Sequence, residues 1–267
     1  MNNALFFREL KRNRKNTLIW TSIVLTFTMM ILSIFPSFSH MGEDMVKLMS
    51  SLPEEYAKAF GMDEATWSSI IGFYATYYGI YITLLMGIYT ASTGATIIGK
   101  EERDGTAEFL LTRPISRGAV VMTKLGVLGT LFIVVYFLQS LVAVIGMNLF
   151  ASEINWSAML AMHVHGFFLI GFFTAVGVLM GSMLSVKLNF MGPVVGMIFG
   201  TYFLNAIASA SEAVAWLAYL SPYHYMPLTL EQGQLEISVI PCVGFAAATA
   251  AMLWVAYNRY LSKDIVG

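Results

Sequence analysis

The stretch TLIWTSIVLTFTMMILSIFP, residues 17–36, decides the fold. It is twenty residues without a charge, and it follows the basic run RELKRNRK at 8–15. A helix needs about 20 mostly apolar residues to cross roughly 30 Å of hydrocarbon, and a central Asp, Lys or Arg costs about 2.5 to 3.5 kcal/mol. Six more uncharged runs of comparable length follow, at 65–99, 125–152, 154–186, 188–211, 213–230 and 237–258. Six of the seven runs predict membrane spans, at about 17–36, 73–98, 125–149, 162–185, 190–210 and 239–258. The run 213–230 differs, because Trp216, Tyr219, Tyr223 and Tyr225 suit the membrane interface and Pro222 and Pro227 would interrupt a spanning helix. It is expected to lie at the surface.

Composition agrees with this reading. Of 267 residues, 57% are hydrophobic and 12% charged, about half the roughly 25% charge of soluble domains. This excludes an ordinary water-soluble protein. A formal net charge of −1 gives no basis for nucleic-acid binding. The single cysteine, Cys242, permits neither an internal disulfide nor a cysteine metal cluster.

The basic residues set the orientation. Thirteen of the fifteen Lys and Arg fall on one side of a six-span topology, at the N-terminal lead-in, 100–124, Lys187 and the C-terminal end, leaving Lys47 and Lys58 on the other. That asymmetry places both termini in the cytoplasm. The first span is expected to be retained, because its apolar part is span-length and no A-x-A-like cleavage site follows. In its lead-in, Leu5, Phe6, Phe7 and Leu10 alternate with Arg8, Lys11, Arg12 and Arg14, which suits a short interfacial helix. The fold class expected is therefore an all-α integral membrane protein of six transmembrane helices, one domain over 1–267 with no repeat or linker.

Residues 100–124, KEERDGTAEFLLTRPISRGAVVMTK, form the longest connection on the basic side. They predict two short helices separated by Pro114, with Asp104 a cap for the first and Ser116 a cap for the second, which runs through Lys124 into the third span. Phe109, Leu110 and Leu111 are apolar in an otherwise solvated elbow. They pack on the bundle or meet a partner.

Three stretches resemble the ABC-two-type (type V exporter) permeases, the transmembrane subunits of ABC transporters: LPEEYAKAFG at 52–61, the pattern EE..GT.E.LL..P.SR......K from Glu101 to Lys124, and LSPYHYMPL at 220–228. The resemblance extends over essentially the whole chain. It implies that two such permeases assemble with two cytoplasmic ATP-binding subunits, as a homodimer or with a paralogue. The elbow between spans 2 and 3 would then dock into the ATPase and transmit its closure. Carried over position by position, the coupling residues are Glu101, Glu102, Gly105, Thr106, Glu108, Leu110, Leu111, Pro114, Ser116, Arg117 and Lys124, and which of the paired glutamates is the family's acid stays open. The resemblance also implies that ATP and Mg belong to the partner subunit and that the chain sits in the plasma membrane.

No G-x-x-x-x-G-K-[ST] loop is present, so any ATP hydrolysis belongs to another polypeptide. No Asp, Glu, Lys or Arg lies inside the spans as drawn, which disfavours an ion-coupled carrier. His163 and His165, two residues apart on a helix, point about 200° from each other and do not present one ion-binding face. Ser182 and Ser209 lack a recognised nucleophile motif, so the chain is not expected to be an enzyme.

Gly192, Gly196 and Gly200 in the fifth span form a row at intervals of four, read either as packing within the subunit or as contact across a dimer axis. Gly177 and Gly181 in the fourth span read as internal packing. Thr21, Thr26, Thr28 and Asn205 are the candidates for lining a pathway. The function expected is the permease subunit of an ATP-driven exporter, the alternative being an ATP-independent channel, carrier or scaffold. The cargo is not legible.

Overall fold

A computed structural model describes residues 2–40, 69–105, 115–183, 189–230 and 233–262, the side chains of His40, Glu101 and Glu102 excepted. Its elements in chain order are α1 (Asn3–His40), α2 (Ile70–Tyr77), a π-helical turn (Tyr78–Ile82), α3 (Thr83–Arg103), α4 (Arg117–Phe150), α5 (Trp156–Met183), α6 (Met191–Ala210), a 3₁₀ segment (Glu212–Leu220), α7 (Pro222–Tyr225) and α8 (Val239–Ser262). Among the described residues there is no β-strand. Six helices are long and apolar enough to cross a membrane: α1, α2 with the π turn and α3, α4, α5, α6 and α8. They are called the first to sixth spans below.

All the spans but the fifth are longer than the apolar stretches that announce them. At 1.5 Å per residue the 34 residues of α4 extend about 51 Å, well beyond the roughly 30 Å hydrocarbon. The clearest departure is at the lead-in. Leu5 to Lys15 do not form a separate interfacial helix but the opening turns of the 38-residue α1. Leu, Phe, Glu, Lys and Arg sustain a helix, and no Gly or Pro interrupts them before the span begins.

The second span is the hub, its apolar stretch nearly all buried, whereas the sixth exposes most of its own. The second and fourth spans run parallel at close range. A Cβ added at Gly177 would lie 2.1 Å from the carbonyl oxygen of Ala91, and one at Gly181 2.1 Å from that of Ala95. Small residues four apart on both helices let the backbones meet, which is the internal packing the sequence predicts for this pair. Across that seam Thr174 Oγ1 lies 2.8 Å from Thr90 Oγ1. The first and third spans approach similarly, with Leu32 Cδ1 2.6 Å from the Cβ position of Gly146.

The start of α1 and the later turns of α8 meet at one end of the bundle, where Phe6 and Leu10 share a cluster with Leu253 and Tyr257. The segment 211–230 that follows α6 corrects one expectation. Its 3₁₀ part is largely exposed, but Tyr223, Met226, Leu228 and Leu230 are buried in the main core instead of resting on the surface. Leu228 seats against Gly79 of the π turn, 3.4 Å from its Cβ position.

Candidate functional site

At the basic end, the second span leaves the bundle and the third enters it. Gly105 has a φ of +66°, a conformation that glycine adopts without Cβ strain, and with Asp104 it forms the turn that ends α3. Asp104 thus closes the second span: its amide donates to Lys100 O at 2.9 Å. On the far side Ser116 caps α4 as expected, its Oγ accepting from Ala119 N at 3.2 Å, and Arg117 is the first helical residue. Glu101 and Glu102 lie on the last turn of α3. Thr106, Glu108, Leu110, Leu111 and Pro114 fall outside the described residues, as does the stretch at 52–61.

The two flanks are fastened by Lys124. Its side chain is fully buried, and Nζ donates to Ile97 O at 2.6 Å and to Ile98 O at 3.3 Å. An ammonium taken from water requires such acceptors. The cation therefore stands between the exit of one span and the entrance of the next.

The lead-in of the first span joins the same junction. Arg12 Nη2 bonds Asp104 Oδ2, and Arg103 Nε lies 3.4 Å from Asp104 Oδ1. Asn2 N donates to Thr123 Oγ1 at 2.9 Å, and Leu5 packs with Val120 and Ile115. One turn beyond Leu5, Glu9 is fully buried, with Arg8 Nη2 3.8 Å from Oε1 and no hydrogen bond to either carboxylate oxygen from the described residues. Sequence reading passed over Glu9, since a lone acid in a basic run reads as part of a solvated face. Its four-residue spacing from Leu5 was the available clue.

A second polar group lies toward the opposite end, among the second, third and fourth spans. Tyr136 donates to the backbone carbonyl of His163, so the 2.8 Å contact between Tyr78 and Tyr136 has Tyr78 as donor. Gln139 Nε2 donates to Tyr74 Oη at 2.6 Å, and Tyr74 stacks on the His163 ring at 6.0 Å. His163 Nδ1 donates to Met159 O at 2.9 Å, which places a proton on Nδ1. The π turn at Tyr78–Ile82, a feature that often marks functional helices, carries Tyr78 into this group. Tyr spaced at 74 and 78 was visible in the sequence, but its partners on two other helices were not.

His165 faces elsewhere. Its Nδ1 donates to Pro227 O at 2.8 Å and its Nε2 accepts from Ser238 N at 2.9 Å, so the imidazole pins both arms of the 226–238 segment. Ser221 adds a tie to the fifth span by donating to Thr201 O at 2.7 Å. Burial at the base of this segment pushes the Tyr223 phenol up from its ordinary value.

The remaining sequence candidates are not gathered. Gly192, Gly196 and Gly200 have no atom of the described residues within 4 Å of an added Cβ, so none of those residues occupies that row. Thr21 and Thr28 face inward, Thr28 bonding Val24 O at 2.8 Å, while Thr26 is exposed and Asn205 lies half-buried on the fifth span.

Comparison with known proteins gives one family. The model described as ABC-2 family transporter protein matches residues 4–265. No curated protein matches the chain.

Proposed function

The chain belongs to the ABC-2 transporter family as a multi-pass membrane permease component, and from that premise we propose that it is the cargo-conducting subunit of an ATP-driven exporter in the plasma membrane. The basic end faces the cytoplasm, where a separate ABC ATP-binding subunit, carrying ATP and Mg, docks on the elbow formed by Glu101, Glu102, Gly105, Thr106, Glu108, Leu110, Leu111, Pro114, Ser116 and Arg117. A second copy or a paralogue completes the pathway across the open glycine row of the fifth span.

The observation that carries this reading is the Lys124 fastening. A push on the elbow arrives at two helix ends that are tied together, and each of those helices is locked to another. The second span is fitted backbone to backbone on the fourth, and Gly146 of the third seats the Leu32 side chain of the first. Force entering at one turn therefore moves four spans as a body, and rigid-body rocking of packed helices is a recognised route between inward-open and outward-open states. The fifth and sixth spans, with fewer inward-facing residues, supply the surface against which that body moves.

The test is Leu111→Asp, or charge reversal at Glu101 and Glu102, in the tagged full chain in its native membrane. Retained insertion with loss of a copurifying ABC ATPase is the expected result. An ATPase that stays bound to those variants, or a purified chain that moves cargo through liposomes without nucleotide, refutes the assignment and leaves a channel or carrier.

A further inference from the structure

A cleft of about 360 Å³ opens between the third, fourth and sixth spans. Leu125, Gly129, Phe132, Gly171, Ala250 and Leu253 are part of its wall. Among the described residues, a Cβ added at Gly129 or Gly171 would meet nothing within 4 Å, so the small residues themselves create the space. At the basic end the cleft is shut where the Tyr257 hydroxyl comes 2.8 Å from the Cβ position of Gly118. Sideways it is open, past the exposed Ala246 and Ala250 of the sixth span.

We propose that this cleft holds an acyl chain of a phospholipid from the leaflet at the basic end. Its walls are almost wholly apolar, and apolar cavities do not retain water. The hydroxyl of Thr174 is taken up by Ile170 O at 2.7 Å and Thr90 Oγ1 at 2.8 Å, leaving little to orient a polar ligand. Leu125 directly follows the buried Lys124 on α4 and Phe132 lies seven residues on, so the cleft begins about 2 Å and extends about 12 Å beyond that cation along the helix. That is the depth of hydrocarbon tails in one leaflet. A void left unfilled would forfeit the dispersion contacts of its lining, and the surrounding medium supplies slender hydrocarbon to fill it. The inference rests on the six spans and the family's membrane placement and is independent of the ATPase coupling above.

The test uses the full chain in phosphatidylcholine vesicles doped with a phosphatidylglycerol that carries a photoactivated diazirine midway along one acyl chain. Cross-links to Leu125, Leu128 and Leu253 should exceed those to the lipid-exposed Phe137 and Val243 by at least about fivefold, the ratio that ~1 kcal/mol of preference gives. Gly171→Leu, which fills the floor, should reduce the cleft labelling to the level of that exposed face. Ala250→Phe, which closes the mouth, is the second variant should the first fail to fold. Uniform labelling over all lipid-facing positions overturns the proposal, as does cleft labelling unchanged by a folded filling variant. Disulfide-linked dimers through Ala250→Cys in a Cys242→Ser background would show a second copy covering the cleft and would also overturn it.

Discussion

Replacing Lys124 by methionine separates what this residue does for stability from what it does for mechanical connection. The side chain is wholly enclosed, and among the described residues its ammonium bonds Ile97 O and Ile98 O. Hydrogen bonds to a charged group contribute about 1.5 to 3 kcal/mol each. Against them stands the desolvation of a buried ammonium, several kcal/mol after relaxation. The carbonyls at Ile97 and Ile98 lie inside a helix and keep the second-span amides as partners when the lysine is lost. Lys124→Met retains the volume of the stem and removes both the bonds and the desolvation, so the change in unfolding free energy should stay within about 1 kcal/mol. Lys124→Ala additionally leaves a cavity and should lose about 2 to 4 kcal/mol. The connection itself is read by spin labels at Arg103→Cys and Met122→Cys in a Cys242→Ser background, both sites being exposed. Their distance distribution should be narrow in the parent and clearly broadened by Lys124→Met at nearly unchanged stability. A Met variant several kcal/mol less stable, or a distribution that does not widen, would refute the reasoning that the bonds serve connection instead of folding.

Three further outcomes follow from the packing. Gly177→Leu should destabilise the bundle by about 3 kcal/mol or more in detergent unfolding, since its Cβ alone would sit 2.1 Å from Ala91 O, beyond ordinary overpacking costs of about 1 to 3 kcal/mol. Gly196→Leu should change monomer stability by no more than about 0.5 kcal/mol, because its Cβ meets none of the described residues, and should weaken self-association if the row is a dimer contact. His165→Phe should cost about 1 to 3 kcal/mol by leaving Ser238 N–H without its acceptor, and should speed hydrogen exchange over 226–238 while leaving the basic end unchanged. Finally, the raised Tyr223 phenol holds its proton more tightly folded than unfolded, so its stabilisation is complete below its ordinary pKa near 10 and is lost as pH rises past it. Thermal midpoints should fall in that alkaline range, and Tyr223→Phe should make the fall shallower.

Legibility differed from one part of the chain to another. The six spans were readable because hydrocarbon imposes one rule on length and charge, and every long uncharged run but one obeyed it. The exception, 213–230, was rightly denied a span yet partly misplaced: aromatic residues with prolines fit an interface, but Tyr223, Met226 and Leu228 found a seat beside Gly79 and Phe173 that no local pattern discloses. The Ser116 cap was local and therefore predictable. The break expected after the lead-in was not, since an amphipathic pattern marks a helix face without saying where one helix stops and another begins.

Sequence alone determined that the chain is a helical membrane protein with a charged connection after its second span, and the motifs in order along it pointed to its family, because hydrophobic length and residue spacing are properties of the chain taken one stretch at a time. The fold decided what those stretches do to one another. It placed Lys124 against two carbonyls of another helix, buried Glu9, sent His163 and His165 to separate partners, and left a cleft beside Gly129 and Gly171. Each depends on which faces meet across helices distant in sequence, and such contacts arise from packing geometry that no single helix encodes.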